Sequence, residues 1–443
     1  MSAAAVVAPV SSRAIAEAAK GASRVLAPLS EARRNAALEA MAAAVEAAGA
    51  ELMAANAEDL QIAASMSGEE RLSAATISRL KLNDGNLREM VEQIRSVKTL
   101  ADPLGRALDE IELDEGLELE KISVPLGVLA VIFEARPDAV TQIAALALKS
   151  GNAVILKPGR EVERTAAVLV ELLHKALEEQ GLPVDAISLV VGRERVAELL
   201  GMHGLIDMVI PRGSKALVEY VQANTRIPVL GHAEGVCHIY VDRSFDEGIA
   251  LRVIEDAKTD YPAACNAVET VLVHREVAAE FLPKLLERLR LRGVKMRGDE
   301  VVRGMDGGVG EVEDWHTEFG ELELAIGVVD SLDAAVEHIH THGSSHTESI
   351  VTEDVTAAER FLREVDAAGV FHNASTRFSD GFRYGFGAEV GVSTSKFHAR
   401  GPVGLDGLTT YKYVLRGRGQ TAGEYRGVNA KSFTHKRLLG GKG

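Results

Sequence analysis

Continuous apolar runs alternate with amphipathic stretches between residues 125 and 230. Runs rich in Val, Ile and Leu predict buried strands at 127–133, 153–157, 187–191 and 208–210. The stretches between them have helical spacing at 139–149, 161–180, 196–202 and 214–224. Buried strands that alternate with helices are typical of a parallel sheet covered on both faces. The pattern therefore predicts a doubly wound α/β domain, which binds its ligands beyond the carboxyl ends of the strands.

The chain on either side of this region has other patterns. The first hundred residues are alanine-rich with helical spacing, and Ser30 followed by Glu31 favours a helix start. Residues 109–124 alternate between apolar and acidic positions, which predicts a solvated hairpin. A second α/β block begins near Gly231, and residues 408–415 alternate like an exposed strand.

Composition narrows the function classes. The 49 basic and 65 acidic side chains give a net charge of −16, which argues against nucleic acid or an anionic membrane as a partner. No apolar run approaches the roughly 20 residues that span a bilayer. Two cysteines make no disulfide framework and favour a reducing compartment. The start of the chain lacks the basic region of a secretory signal, so we expect the cytoplasm; Ser11, Ser12 and Arg13 leave a short transit peptide as the alternative.

Cys265 stands three positions after Pro262 and shortly before an apolar strand predicted at 269–273. The pattern predicts a helix start at this cysteine. Backbone N–H groups at a helix start favour the thiolate, and they can also hold the oxyanion of an attacked carbonyl. The alternative is a buried cysteine that packs as a small apolar side chain, which is our interpretation of Cys237 within its apolar strand.

Two strand ends carry groups that suit an anion. Lys157 ends an apolar strand before Pro158-Gly-Arg160 and a helix, where a lysine can reach ribose or phosphate oxygens. Gly213 and Ser214 join a strand to a helix, with Ser214 as the predicted N-cap above an anion site. A lysine that only caps the sheet and an ordinary capped turn are the alternatives. Neither a G-x-G-x-x-G fingerprint after a strand nor a Walker loop is present in the sequence.

A polar loop follows the strand predicted at 369–372. Asn373, Ser375 and Arg377 offer an amide, a hydroxyl and a guanidinium there, which suit a carboxylate or a phosphate. A plain polar loop is the alternative. Arg136, in the turn after the first buried strand, is a second candidate for binding an anionic substrate group.

Four histidines lie close together in the sequence, at positions 338, 340, 342 and 346. His338 and His342 share a face of a predicted helix, which suggests zinc. No carboxylate or cysteine completes a convincing set of ligands at this place, so we predict no metal site. The surrounding run at 334–350 is better explained by a resemblance to a known family.

Several segments, in the same order, resemble the glutamate-5-semialdehyde dehydrogenases, also called gamma-glutamyl phosphate reductases, of the aldehyde dehydrogenase superfamily. They are Val131-Ile-Phe-Glu-Ala-Arg-Pro-Asp138, Ile210-Pro-Arg-Gly-Ser-Lys215, Asp260-Tyr-Pro-Ala-Ala-Cys-Asn-Ala-Val-Glu-Thr270, the signature run at 334–350 and Phe386-Gly-Ala-Glu-Val-Gly391. The resemblance spans roughly residues 10 to 420. It implies an aldehyde dehydrogenase-like α/β fold with a doubly wound cofactor domain at 1–108 and 125–230 and an α/β catalytic domain at 231–403. Residues 109–124 and 404–443 are then oligomerisation elements, for a homodimer or a dimer of dimers.

The resemblance also implies roles at the cofactor. Gly213 and Ser214 lie along it, Glu318 holds the nicotinamide ribose, and Lys157 reaches its ribose or phosphate oxygens. In relatives that prefer NAD, an acid that holds the ribose 2′-hydroxyl stands at the position of Arg160. A cation there suits a 2′-phosphate, so NADPH is the expected cofactor.

On the substrate side, the resemblance makes Cys265 the nucleophile. The loop of Asn373 and Ser375 forms the pocket for the glutamyl chain, Arg377 is the candidate for its α-carboxylate, and Arg136 is the candidate for the leaving phosphate. The implied activity is NADPH-dependent reduction of L-glutamyl 5-phosphate to L-glutamate 5-semialdehyde in proline biosynthesis. No segment resembles a kinase, so a separate glutamate 5-kinase is expected to supply the substrate.

Two other functions stay open. One is a cofactor-independent cysteine acyltransferase or hydrolase, for which the sequence places no histidine as the base. The other is a non-catalytic relative that retains the scaffold, against which the intact Cys265, Arg136 and Asn373 loop count. NADPH binding tests the first of these functions and a turnover assay tests the second.

Overall fold

A computed structural model of the protein describes residues 10–68, 72, 74–232 and 234–438. The segment considered as a possible transit peptide lies mostly outside the described residues, since the description begins at residue 10. The chain forms two compact units. Unit 1 contains the described residues of 1–230, 387–390 and 404–443, and unit 2 contains those of 231–386 and 391–403.

The secondary structure of the described residues is as follows. The helices are α1 (Ser12–Leu26), α2 (Glu31–Ala47), α3 (Gly49–Ser65), α4 (Ala74–Leu80), α5 (Asp84–Thr99), α6 (Ala139–Lys149), α7 (Glu163–Glu179), α8 (Arg195–Leu200), α9 (Lys215–Asn224), α10 (Glu247–Thr259), α11 (Arg275–Leu291), α12 (Glu300–Met305), α13 (Leu332–His342) and α14 (Val355–Glu364). The strands are β1 (Ala107–Asp114), β2 (Leu117–Pro125), β3 (Val128–Phe133), β4 (Ala153–Pro158), β5 (Ile187–Leu189), β6 (Met208–Arg212), β7 (Cys237–Val241), β8 (Val268–His274), β9 (Lys295–Gly298), β10 (Gly310–Glu311), β11 (Glu323–Val329), β12 (Thr347–Val351), β13 (Gly369–His372), β14 (Val392–Ser393), β15 (Gly401–Pro402), β16 (Thr409–Arg416) and β17 (Lys436–Arg437). Across the described ranges, the helices are too short or too polar to cross a lipid bilayer.

The parallel sheet of unit 1 has the strand order β5-β4-β3-β6. The four buried strands predicted between residues 125 and 230 are therefore confirmed. Strands β4 and β5 extend the sheet on one side of β3, whereas β6 lies on the other side. The order of the strands thus reverses between β3 and β6, and a crevice at such a point is where open α/β sheets bind ligands.

The antiparallel sheet of unit 1 has the order β16-β2-β1-β17. Strands β1 and β2 form the predicted hairpin, and β16 is the predicted exposed strand. β16 pairs with β2 along its whole length, from Thr409 opposite Pro125 to Arg416 opposite Glu118. Alternate side chains of β16 are apolar and exposed, namely Tyr411, Tyr413 and Leu415.

Unit 2 is built on a parallel sheet of order β10-β9-β11-β8-β7-β12-β13. Neighbouring residues of its central strands point to opposite faces. Ile239 and Val241 pack with α10 and α11, whereas Tyr240 packs with α13 and α14. Both faces of the sheet are therefore covered, as expected for strands without a polar face. The predicted α/β fold class, with a doubly wound domain and a second α/β domain, agrees with this architecture.

Candidate active site

Cys265 lies in a turn between α10 and β8. The turn is closed by backbone hydrogen bonds from Ala264 to Tyr261 at 3.1 Å and from Ala267 to Ala264 at 2.9 Å. The predicted helix start at this cysteine is therefore wrong. The reason is long-range: Val268 pairs with Cys237 where β8 begins, so the chain enters the sheet before a helix can form. The thiolate gains no helix dipole, and its chemistry depends on the side chains around it.

The Cys265 turn packs closely against the segment that precedes β7. A Cβ atom on Gly235 would lie 2.0 Å from the carbonyl oxygen of Cys265, so only glycine fits there. The buried Cys237 thiol donates to the same carbonyl at 3.3 Å. Burial raises the pKa of the Cys237 thiol well above its usual value, which keeps it protonated. Cys237 is thus a structural support for the turn, in line with its predicted structural role.

Two histidines approach the Cys265 thiol. One ring nitrogen each from His232 and His346 and the Cys265 sulfur all lie within 4.8 Å of one another. The two rings pack edge to face with centroids 4.9 Å apart. The sequence places no histidine as a base, and no spacing signal could do so because the three residues come from separate segments. The structure therefore supplies proton acceptors that sequence reasoning missed.

Arg377 binds two residues that flank Cys265. Its Nε donates to Asp260 at 3.1 Å, and one terminal nitrogen donates to the Asn266 side-chain oxygen. Asn266 in turn donates to the carbonyl of Ser379 at 2.9 Å. Because these contacts use much of the buried guanidinium, Arg377 is committed to positioning the residues that flank the nucleophile. The predicted contact with the α-carboxylate stays a prediction.

The side chains of Asn373 and Ser375, two other predicted substrate ligands, also make hydrogen bonds within the protein. The Asn373 amide accepts from the backbone N–H of Thr352 and donates to its carbonyl, both at 3.0 Å, and the backbone of Asn373 has φ of 54°. Ser375 accepts from the backbone N–H of Arg377 at 3.3 Å. The predicted role of both residues in the substrate pocket stays a prediction. The Asn373 amide thus ties the start of the loop to the backbone that follows β12, and Ser375 caps the short 3₁₀ turn Thr376–Phe378.

Glu318 lies near the segment in front of Cys265. Its carboxylate accepts from the backbone N–H of Gly235, while burial raises its pKa. The neighbouring Gly320 donates its N–H to buried Glu269 at 3.2 Å. Glu269 also pairs with Lys258 at 2.7 Å, and burial raises the pKa of Glu269 to about 7. This buried pair fixes the loop, so Glu318 is held beside the same glycine that touches the Cys265 turn.

In unit 1, Lys157 and Arg160 lie at the carboxyl end of β4, where they were predicted. Lys157 is buried and donates to the carbonyl of Pro158 at 2.5 Å, and burial lowers its pKa. Arg160 is exposed at the start of a short 3₁₀ helix, Arg160–Val162. The neighbouring Glu161 directs its carboxylate to the backbone N–H of Ala135 at 2.6 Å. The Glu161 carboxylate is therefore bonded to the backbone and not to the exposed Arg160 guanidinium.

Gly213 and Ser214 lie at the reversal point between β3 and β6. Ser214 has the N-cap position of α9, but its side chain makes no capping bond. Its backbone N–H donates instead to Glu134 at 2.8 Å, and a Cβ on Gly213 would lie 2.3 Å from that carboxylate. The Glu134 carboxylate therefore occupies the start of α9, where the sequence predicts a site for an anionic ligand. Arg136 lies two residues after Glu134, beyond the carboxyl end of β3, and is half-buried.

Comparison with known proteins agrees with this architecture. The model of the aldehyde dehydrogenase family matches residues 4–302. A gamma-glutamyl phosphate reductase of Cyanothece sp. is 52% identical over 431 residues, which make up 97% of this chain and 99% of that protein. A gamma-glutamyl phosphate reductase of Natronomonas pharaonis is 51% identical over 427 residues, 96% of this chain and 97% of the relative.

A solved structure is similar over nearly the same length. The crystal structure of gamma-glutamyl phosphate reductase from Thermotoga maritima has a TM-score of 0.89 at 38% identity, and the match covers 92% of this chain and 98% of that one. The fold and the cysteine turn thus define a protein of the aldehyde dehydrogenase type, a class whose members use a nicotinamide cofactor. The chain belongs to the aldehyde dehydrogenase family, within the group of gamma-glutamyl phosphate reductases.

Proposed function

We propose that this protein reduces L-glutamyl 5-phosphate to L-glutamate 5-semialdehyde with NADPH and releases phosphate, as a cytoplasmic step of proline biosynthesis. The similarity to gamma-glutamyl phosphate reductases, 52% identity over 97% of the chain, is the observation that carries this proposal. The geometry around Cys265 supplies the chemistry. The proposal needs a nucleophile, a proton acceptor, and residues that hold an anionic substrate and cofactor.

The covalent step uses Cys265 and its neighbouring histidines. The thiol gives its proton to a neutral imidazole of His232 or His346, and the thiolate attacks the γ-carbonyl of the substrate. The carbon–oxygen bond to phosphate breaks, and the imidazolium returns the proton to the departing phosphate. This leaves a thioester on Cys265. The Gly235 and Arg377 contacts hold the turn that carries the sulfur.

NADPH, when bound, supplies the hydride that converts the thioester to the aldehyde and frees the sulfur. The residues that would hold it are Lys157, Arg160, Gly213, Ser214 and Glu318. Because the Ser214 N–H is bound to Glu134, Gly213 and Ser214 would lie along the cofactor, and Lys157 and Arg160 would hold its ribose and phosphate oxygens. Exposed Arg160 suits the 2′-phosphate of NADPH, since Glu161 is turned to Ala135.

The geometry alone also suits a second function, a cofactor-independent hydrolase with a cysteine and a histidine. Two histidines near Cys265 supply the base that such an enzyme needs. Membership of the aldehyde dehydrogenase family favours the reductase, because a hydrolase has no use for a doubly wound cofactor domain. A non-catalytic scaffold is disfavoured because Cys265 is intact and its turn is held by three neighbouring groups.

We also propose that the protein is a homodimer or a dimer of dimers through the antiparallel sheet of unit 1. Exposed Tyr411, Tyr413 and Leu415 make an apolar row on the edge strand β16, which is a pairing surface unless it is covered. Light scattering on Tyr413→Glu should give a monomer with unchanged circular dichroism. A dimer of unchanged stability in this variant would overturn the assignment.

The forward reaction tests the proposed function. The protein should oxidise NADPH when glutamate, ATP and a separate glutamate 5-kinase generate the acyl phosphate in the cuvette. Omission of the kinase should stop the reaction, because this chain has no kinase-like segment. NADPH consumption that does not depend on the kinase, or hydrolysis of the acyl phosphate without NADPH consumption, would overturn the reductase proposal.

A further inference from the structure

We propose that His232, Cys265 and His346 form a binding site for a zinc-class divalent cation, and that the bound cation prevents acylation of Cys265. Each of these three residues has one possible ligand atom, a ring nitrogen or the sulfur, and the three atoms lie within 4.8 Å of one another. Binding rests on this geometry alone. The block on catalysis rests in addition on the proposed function, because it requires Cys265 to be the nucleophile.

The protonation of His232 suits a metal ligand. Its Nδ1 lies 2.9 Å from the carbonyl oxygen of Val392. A carbonyl oxygen only accepts, so Nδ1 carries the proton and the neutral ring keeps its lone pair on Nε2. Histidine ligands of metals are held by this kind of bond, with one ring nitrogen on a backbone carbonyl and the other on the ion. His232 is therefore in the tautomer whose Nε2 can bind a cation.

His346 provides a second, independent indication of a ligand. The residue is fully buried, and its Nε2 has no hydrogen-bond partner within the described part of the chain. Its Nδ1 lies 2.9 Å from the hydroxyl of Thr347, which can accept the Nδ1 proton. A buried polar atom without a partner is unfavourable and marks a site where a water or an ion completes the structure. A cation between His346 and Cys265 would satisfy this nitrogen.

The chemistry of the three ligands selects the ion. Two imidazoles and a thiolate are the ligands that zinc and similar ions prefer, whereas calcium and magnesium require oxygen. Zinc–ligand bonds of about 2.0–2.3 Å in a tetrahedron place the ligand atoms about 3.3–3.7 Å apart. Small side-chain rotations therefore close the group around an ion and leave a fourth position for water. A cation bound to the sulfur withdraws electron density from the thiolate that must attack the substrate, so a bound cation should suppress acylation.

The predicted zinc alternative on α13 differs from this site. His338 and His342 pack against each other with ring centroids 4.5 Å apart, and His316 packs against His342. Among the described residues, the ligand atoms of these three histidines do not converge as those of His232, Cys265 and His346 do. They offer a matched control, because a histidine can be removed there without touching the Cys265 group.

Binding is measured first, on the full-length protein freed of metal. Equilibrium dialysis should give one zinc ion per chain, and cobalt should produce the ultraviolet charge-transfer band of a cobalt–thiolate bond. Cys265→Ser should abolish the band, and His346→Asn should weaken zinc binding at least about tenfold. His338→Asn should bind zinc as the parent does. Absence of saturable binding, or loss of binding in His338→Asn with retention in Cys265→Ser, would overturn the site.

Inhibition is measured separately. Zinc should inhibit the reductase reversibly, a chelator should restore it, and prior acylation of Cys265 should protect against zinc binding. If the protein binds zinc through Cys265 and His346 but reduces no acyl phosphate, the proposed function fails and the metal site stands. If it is an active reductase that neither binds zinc nor is inhibited by it, the proposed function stands and this inference fails.

Discussion

The thiol of Cys237 donates a hydrogen bond to the backbone carbonyl of Cys265 at 3.3 Å. The two cysteines of the chain are therefore neighbours with different environments. Cys237 is fully buried in β7, whereas Cys265 is half-buried in a turn and faces two histidines. One thiol supports the backbone that presents the other. Substitution of each cysteine should consequently affect a different property of the protein.

Cys265→Ser should lower turnover by at least about 10³-fold, because an unactivated hydroxyl is a far weaker nucleophile than a thiolate. Fold and NADPH affinity should stay nearly unchanged, as measured by circular dichroism and cofactor titration. Cys237→Ala is the matched control. It should retain most activity and lose about 1–2 kcal/mol of unfolding free energy, since a buried thiol and its bond are removed. Retention of most activity in Cys265→Ser would remove this residue from the mechanism.

Gly235→Ala should disrupt the site although it changes no chemical group. The added Cβ would lie 2.0 Å from the Cys265 carbonyl oxygen, and backbone must shift to relieve the clash. We expect kcat to fall at least about 100-fold, because misplacement by about 1 Å has that effect on a reacting group. Gly304→Ala, on exposed α12 with no atom within 4 Å of the new Cβ, should leave kcat unchanged. Equal activity in the two variants would contradict our description of the turn.

Much of the fold could be predicted because buried parallel strands are continuous apolar runs. Strands β3 to β6 appear where Val, Ile and Leu cluster, and the hairpin of β1 and β2 appears where apolar and acidic residues alternate. The turn at Cys265 was missed because its end is determined by pairing between β7 and β8, a contact that local pattern does not encode. The motifs predict the family, the fold class and the gamma-glutamyl phosphate reductase function. The relatives confirm all three predictions.

The candidate site was less predictable. His232 and His346 are distant from Cys265 in the sequence, so only the fold brings them together. At Ser214, sequence spacing predicts a helix start that receives an anion, but it cannot show that Glu134 already fills it. Asn373 has an amide that suits a ligand, and only the fold shows that this amide bonds to the backbone of Thr352. Composition identifies polar groups, whereas their partners depend on tertiary contacts.

Glu348→Gln should stabilise the protein near neutral pH. Burial raises the pKa of Glu348 well above its usual value, so the unfolded chain releases its proton at lower pH than the folded one. The contribution of Glu348 is thus fully present below about pH 4.5 and is lost as pH rises toward the folded pKa. The neighbouring His238 opposes it, because burial lowers the pKa of that imidazole to about 3.

The gain from Glu348→Gln should therefore increase with pH by up to about 1.4 kcal/mol per pH unit. Removal of the glutamate also exposes the opposite effect of His238, so the variant should lose stability as pH falls from about 6.5 toward 3. Urea unfolding at several pH values measures both effects, with exposed Glu353→Gln as the control. A gain that is independent of pH would contradict the buried, protonated state of Glu348.

Arg160→Glu should narrow or reverse the preference for NADPH over NADH, because a carboxylate repels the 2′-phosphate and suits a free ribose hydroxyl. The ratio of kcat/KM for the two cofactors is the measurement. Arg164→Glu makes the same change of charge at an exposed site on α7 and should leave the ratio unchanged. If Arg160→Glu discriminates as the parent protein does, the placement of Arg160 at the cofactor is wrong.

We propose that the acyl group on Cys265 is transferred to phosphate rather than to water. The resemblance predicts that the water-activating glutamate of aldehyde dehydrogenases falls at Gly231, which has no side chain to act as a base; nearby Glu234 is the alternative base. Reduction of NADP⁺ by glutamate semialdehyde, followed with and without inorganic phosphate, tests this claim most directly. We predict that the reaction requires phosphate and forms an acyl phosphate. Oxidation of the semialdehyde to glutamate at a comparable rate in phosphate-free buffer would contradict it.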